Sequence, residues 1–136
     1  NMAENFVVSN PTQKISFKKN ILIASGWKPG WSTDYDAVLL AKNFKVMEVI
    51  NMSNIDYVYD KDPKKFKGSK KIEKLKWQNY LKMTGTKWKA GMNVPFDPIA
   101  AKEAQKSKIR VHIIGKNLGN FEKLLNDKPF KGTTID

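Results

Sequence analysis

Two polar segments hold residue types suited to an anionic or flat ligand. The first is Ser25-Gly26-Trp27-Lys28-Pro29-Gly30-Trp31-Ser32-Thr33-Asp34. Gly26 and Gly30 let backbone approach a ligand closely. Ser32 and Thr33 stand where a helix begins, and free N–H groups there, with the helix dipole, favour an anion. Trp27 and Trp31 either fold back on the core or wall a flat ligand. The second segment is Ser53-Asn54-Ile55-Asp56-Tyr57-Val58-Tyr59-Asp60-Lys61-Asp62-Pro63. Its short polar side chains suit a ribose or phosphates, and Tyr59 suits a base. The same residues equally make Asx turns that satisfy their own backbone. No Walker A pattern and no G-x-G-x-x-G occurs.

Other chemistries are closed off by composition. The chain of 136 residues has no Cys and a single His, His112. That excludes a thiolate nucleophile, a disulfide scaffold, a sulfur-built zinc site and a histidine metal cluster. No window approaches the roughly 18 apolar residues of a membrane span, and residues 1–10 have no basic n-region. A cytoplasmic protein without membrane contact is the expectation. The net charge is +12, from 25 Lys plus Arg against 13 Asp plus Glu, yet Arg110 is the sole arginine. Nucleic-acid readers rely on the bidentate fork of Arg, whereas Lys supplies hydrated point charges. Eight Lys against Asp62 and Glu73 fall in residues 61–76, which read as a solvated face. Nucleic acid is therefore not the expected partner.

The elements that must hold these segments follow from patterning. Residues 20–25 form a short apolar run ending in Gly26, the profile of a strand covered on both faces. Residues 34–44 then read as a helix with Ala37, Val38, Leu40, Ala41 and Phe44 on its apolar face. Residues 46–52 are the next strand, so the unit is βαβ. Residues 57–59 read as a short extended piece. Helices are expected over 75–83, over 97–106 with Asp97 as N-cap and Pro98 first, and over 117–126. Trp77 and Tyr80, at i and i+3, belong to a core face. Residues 109–114 form a third apolar strand, in which His112 reads as hydrogen-bonded in place. Residues 132–136 are expected to close the sheet as an edge strand. The fold class is α/β, a three-layer αβα sandwich with a mostly parallel sheet. In such sheets ligands bind beyond the carboxyl ends of strands, where both polar segments lie.

Taken together, the two segments resemble the amino acid kinase family, in its uridylate (UMP) kinase branch. Residues 26–34 resemble that branch's acceptor loop: glycine, a few residues, P-G, a hydroxyl pair and an aspartate opening a helix. Residues 53–63 resemble the nucleotide segment commonly written T-N-V-D-G-V-Y-x-x-D-P. Asp97-Pro98-Ile99-Ala100-Ala101-Lys102 resembles D-P-L-A-A-K, and Gly132-Thr133-Thr134-Ile135 resembles a terminal G-T-x-I. The resemblance implies phosphoryl transfer from ATP, with Mg2+, to UMP. Such transfer needs positioning and charge neutralisation, for which neither Cys nor an active His is required. By the resemblance, Asp34 orients catalytic lysines. Gly26, Trp27, Lys28, Pro29, Gly30, Trp31, Ser32 and Thr33 line the UMP site, Thr33 nearest the nucleotide. Ser53, Asn54, Tyr59 and Asp62 contact ATP, and Trp88 is a candidate for the border of that pocket.

Departures from the pattern are Ser53 for Thr, Tyr57 where Gly is common, and bulky Trp27 and Lys28 where Thr and His are frequent. The loop of residues 91–97 lacks the Lys of several amino-acid-directed relatives, which favours the nucleotide branch. The family's opening lysine-bearing strand and glycine-rich loop have no counterpart before Ile21, and residues 1–20 contain no Gly. The expectation is the C-terminal, nucleotide-binding part of the fold over residues 20–136, with residues 1–19 a remnant or linker. On this reading the chain alone is inactive or nearly so, and a homo-oligomer would form through the N-terminal part. The rivals are a family member with another acceptor (carbamate, acetylglutamate, isopentenyl phosphate) and a non-catalytic nucleotide-binding or assembly module.

Overall fold

Side-chain capping sets where the helices start. A computed structural model describes residues 2–87 and 93–136. Helix α1 (Thr33–Asn43) begins after Ser32, whose hydroxyl accepts the Tyr35 N–H at 3.1 Å. Asp34 and Asp36 in its first turn and Lys42 in its last complement the helix dipole. Helix α3 (Pro98–Lys106) has Asp97 as N-cap, accepting the Ile99 N–H at 2.8 Å, with Pro98 opening the helix. Helix α4 (Leu118–Leu125) is capped by Asn117, which accepts from Asn120. Helix α2 (Trp77–Thr84) has no side-chain cap; the Trp77 N–H donates instead to the Asp136 carbonyl at 3.0 Å.

Strands β3 (Glu48–Ser53) and β7 (Arg110–Gly115) pair in parallel, from Glu48 opposite Arg110 to Ser53 opposite Gly115. Strand β8 (Thr133–Ile135) runs antiparallel to β7 and parallel to β6 (Lys74–Leu75). The four-stranded order is β3-β7-β8-β6. Residues 132–136 therefore supply an interior strand and not the expected edge. Neighbours on both sides are possible because the short β6 emerges from the lysine-rich run and takes the edge itself. Strand β4 (Val58–Tyr59) and β5 (Lys71–Ile72) form a small antiparallel hairpin. All eight Lys of residues 61–76 are exposed, as a solvated face requires.

Helix α3 packs on α1 and α2, and the three share one core with the sheet. Trp77 and Tyr80 of α2, Ala100, Ala101 and Ala104 of α3, and Val111 and Ile113 of β7 meet there. Small residues along α3 let the neighbouring helices approach closely. Helix α4 lies against β7 and buries no residue of its own.

A second parallel pair, β1 (Ala3–Val8) and β2 (Ile21–Ala24), stands as its own two-stranded sheet. Residues 1–19, read as a remnant or linker, thus contain a strand. β2 is also not covered as its apolar run predicted: Ile21 is 44% and Ile23 49% exposed. The run encodes apolarity on both faces, but among the described residues neither face is sealed.

Candidate active site

The first polar segment leaves β2 and enters α1 through a tight turn. The Trp31 N–H donates to the Lys28 carbonyl at 3.2 Å, with Pro29 and Gly30 between them. Gly30 has φ +88, so this is a type II turn, in which a side chain at that position would be strained. Beyond it, the rings of Trp27, Trp31 and Tyr35 form a column, with centroids 6.3 Å and 4.7 Å apart and planes near parallel. The Lys28 ammonium lies 4.2 Å from the Trp27 centroid. The bulky residues that depart from the family pattern thus support one another.

Asp34 sits where the N-termini of α1 and α3 converge. Its Oδ2 accepts the Asp97 N–H at 2.9 Å, and its Oδ1 lies 3.4 Å from the Asn51 amide nitrogen. Ser32 donates its hydroxyl proton to Asp97 Oδ2. Burial pushes the Asp34 carboxyl above the ordinary carboxylate range; the Asp97 N–H opposes this, and the Asp97 charge adds to it. Asp34 is thus a carboxylate held by fixed dipoles, suited to orienting a cationic group. Ser32 is occupied by capping and by Asp97, whereas Thr33, the other hydroxyl of the pair, is exposed. Gly26, Lys28 and Pro29 are exposed beside it.

The second polar segment follows β3 and borders a cavity of about 380 Å³. Asn54, Tyr59 and Asp62 line this cavity together with Lys61 and Lys64. Ser53 does not line it; its hydroxyl donates to Asn54 Oδ1 at 3.3 Å. Asp62 both borders the cavity and accepts the Lys64 N–H at 2.9 Å, so it shapes its own turn. Two residues fix the segment from outside. Gly115 ends β7 against Asp56, whose carboxylate any side chain there would strike. Thr133 accepts the buried Val58 N–H at 2.8 Å and donates onward to the Ile72 carbonyl, tying the β4–β5 hairpin to β8.

Asn51 and Pro95 connect the two halves. Pro95 lines the cavity, and its carbonyl is 3.4 Å from the Asn51 nitrogen that faces Asp34. Both residues escaped the sequence reading, as did Asp36 and the second role of Asp97; only the N-cap signal at Asp97 pointed to any of them. Trp88, Gly91 and Met92 lie outside the described residues. His112 plays no part in this arrangement. Its Nδ1 meets Thr134 Oγ1 at 3.1 Å, and its Nε2 is 3.7 Å from Glu48, at the opposite end of β3 from Ser53.

The fold and this arrangement define an α/β domain with an anion-receptive helix start beside a polar cavity. The model of the amino acid kinase family matches residues 6–115, and the chain belongs to that family. The uridylate kinase of Thermoplasma volcanium is 34% identical over 116 residues, 85% of this chain and 51% of that protein. The uridylate kinase of Archaeoglobus fulgidus is 34% identical over 124 residues, 90% of this chain and 54% of that protein. A crystal structure of uridylate kinase from Archaeoglobus fulgidus matches with a TM-score of 0.83 and 30% identity, covering 99% of this chain and 62% of that one. A UMP kinase structure from Bacillus anthracis, at 21% identity and TM-score 0.69 over 85% of this chain and 46% of its own, shares the fold. The chain spans about half the length of the curated relatives it matches.

Proposed function

We propose that this chain carries the nucleotide-binding part of an enzyme that phosphorylates UMP to UDP with ATP. The observation that carries the reading is the junction of the Asp34 cluster with the cavity bordered by Asn54, Tyr59 and Asp62. In the reaction an oxygen of the UMP phosphate attacks the γ-phosphorus of ATP. The bond from that phosphorus to the bridging oxygen breaks, and ADP leaves. Residues 26–33 hold UMP at the start of α1, and Asn54, Tyr59 and Asp62 hold ATP, with Ser53 supporting Asn54. Lys61 and Lys64 add positive charge at the cavity. Asp34 orients a cationic side chain toward the phosphates. No group of three His, Cys, Asp or Glu able to hold a metal occurs among the described residues. Mg2+ would arrive on the ATP phosphates, its usual mode in phosphoryl transfer, and neutralise charge there.

No helix among the described residues is long and apolar enough to cross a membrane. Calorimetric titration of the chain with UMP and with ATP in Mg2+ tests the reading. The expected result is one site for each, with carbamate, acetylglutamate and isopentenyl phosphate failing to displace UMP. Absence of UMP binding, or displacement by another acceptor, would overturn it. UDP formation by this chain alone is expected to fall far below the roughly 1–100 s⁻¹ of kinases, since its loops supply no glycine-rich phosphate clamp.

A further inference from the structure

The turn of residues 28–31 is approached by a side chain whose burial core packing does not explain. Asp36, in the first turn of α1, is 4% exposed. Its Oδ2 accepts the Trp27 N–H at 3.0 Å, while its Oδ1 is buried without a hydrogen-bond partner. Val38 and Ala41, the core positions of the same helix, lie on a different face, so the core does not account for a buried carboxylate at residue 36. The carboxylate is explained by the group it holds.

That group belongs to the open end of the aromatic column. Trp31 has two stacked partners, Trp27 and Tyr35, whereas Trp27 has one among the described residues. Tyr35 packs against the hydrophobic core. Trp27 is the ring whose backbone Asp36 holds, and the flexible, exposed Lys28 ammonium near it is a weak cover.

We propose that Asp36 is a positioning residue that, by accepting the Trp27 N–H, holds Trp27 as the surface on which the base of the acceptor nucleotide stacks. The proposal rests on reading residues 26–33 as the acceptor site. It assigns base contact to Trp27 and not to Trp31, and it makes that contact one of stacking, which tolerates different bases.

The test compares the 136-residue chain with Asp36→Asn, Asp36→Val and Trp27→Ala. Each is titrated with UMP and with ribose 5-phosphate, which has no base, and the circular-dichroism signature of coupled indoles is recorded. Asp36→Asn keeps an acceptor oxygen and retains affinity and signature. Asp36→Val and Trp27→Ala weaken UMP on the order of tenfold and leave ribose 5-phosphate unchanged. Both lose the coupled-indole signal, while the thermal midpoint of Asp36→Val holds or rises. Equal losses for the two ligands, or an Asp36→Val protein with UMP affinity and signature intact, would overturn the proposal. Failure of the unsubstituted chain to bind UMP would overturn the acceptor reading itself, and is seen before any substitution is made.

Discussion

The two parallel strand pairs have the same backbone geometry and opposite surroundings. In β3–β7, one face of β7 is sealed: Val111 and Ile113 are fully buried in the core shared with α1, α2 and α3. In β1–β2, Phe6 is 40%, Val7 56%, Ile21 44% and Ile23 49% exposed. Parallel sheets are ordinarily covered on both faces, so the second pair gains little from burial. The first polar segment nevertheless leaves β2, a strand of the exposed pair. What holds that loop in place is the set of ties from α1 to the sealed region: Ser32 and Asp34 to Asp97, and Asp34 to Asn51. The site therefore depends on the packing of α1 against α3 more than on the strand that delivers the loop.

The largest expected contrast follows directly. Ile113→Ala should cost about 2–5 kcal/mol by urea denaturation, while Ile23→Ala should stay within about 0.5 kcal/mol. Equal losses would break the comparison. Next comes the latch between α2 and the loop entering α3. The buried Tyr80 hydroxyl donates to the Phe96 carbonyl at 2.6 Å and accepts the Phe96 N–H at 2.7 Å. Burial pushes the phenol far above its ordinary range, so it remains a donor at any working pH. Tyr80→Phe leaves both Phe96 groups unpaired, and about 2 kcal/mol should be lost in the same assay.

A smaller effect of opposite sign is expected at Asp34. Because burial raises its carboxyl in the folded state, ionisation opposes folding above the ordinary carboxylate range. Asp34→Asn should thus stabilise the chain by about 1 kcal/mol at neutral pH. The gain should vanish as pH falls below that range, where Asp34 is protonated in both states. Thermal midpoints across pH check this; a gain independent of pH would remove the burial argument.

The smallest effect concerns His112. Burial lowers its pKa, against the opposing pull of Glu48. The unfolded chain therefore binds a proton first, and stability should fall as pH drops through the ordinary His range of about 6.5. His112→Asn should flatten that slope, measured between the His range and the onset of carboxylate titration. An unchanged slope would assign the loss to other groups.

Much of this organisation is legible along the chain because it is closed locally. Asp97 caps the helix it was expected to cap, and Asn117, read as the first residue of its helix, caps it instead, with bonds two and three residues long. The apolar run of β7 and the Trp77, Tyr80 pair entered the core as read. The strand at Ala3–Val8 was missed because its apolar residues follow a polar start and gain burial only at Val8. The interior place of β8 was missed because three residues carry no signal of what lies on either side.

The site divides along the same line. Sequence alone determined where polar loops end strands, that a hydroxyl and an aspartate open α1, and that this chain offers no thiol and no histidine metal cluster. Those features depend on residue type and on bonds within a turn. Tertiary structure decided that Ser32 also donates to Asp97, and that Asp34 meets an N–H 63 residues away. It also decided that Asp36 faces Trp27 across the loop, leaving one oxygen unpartnered. Long-range contacts of this kind exist only once α1 has docked on α3, because the side chains involved are far too short to find one another in an unpacked chain.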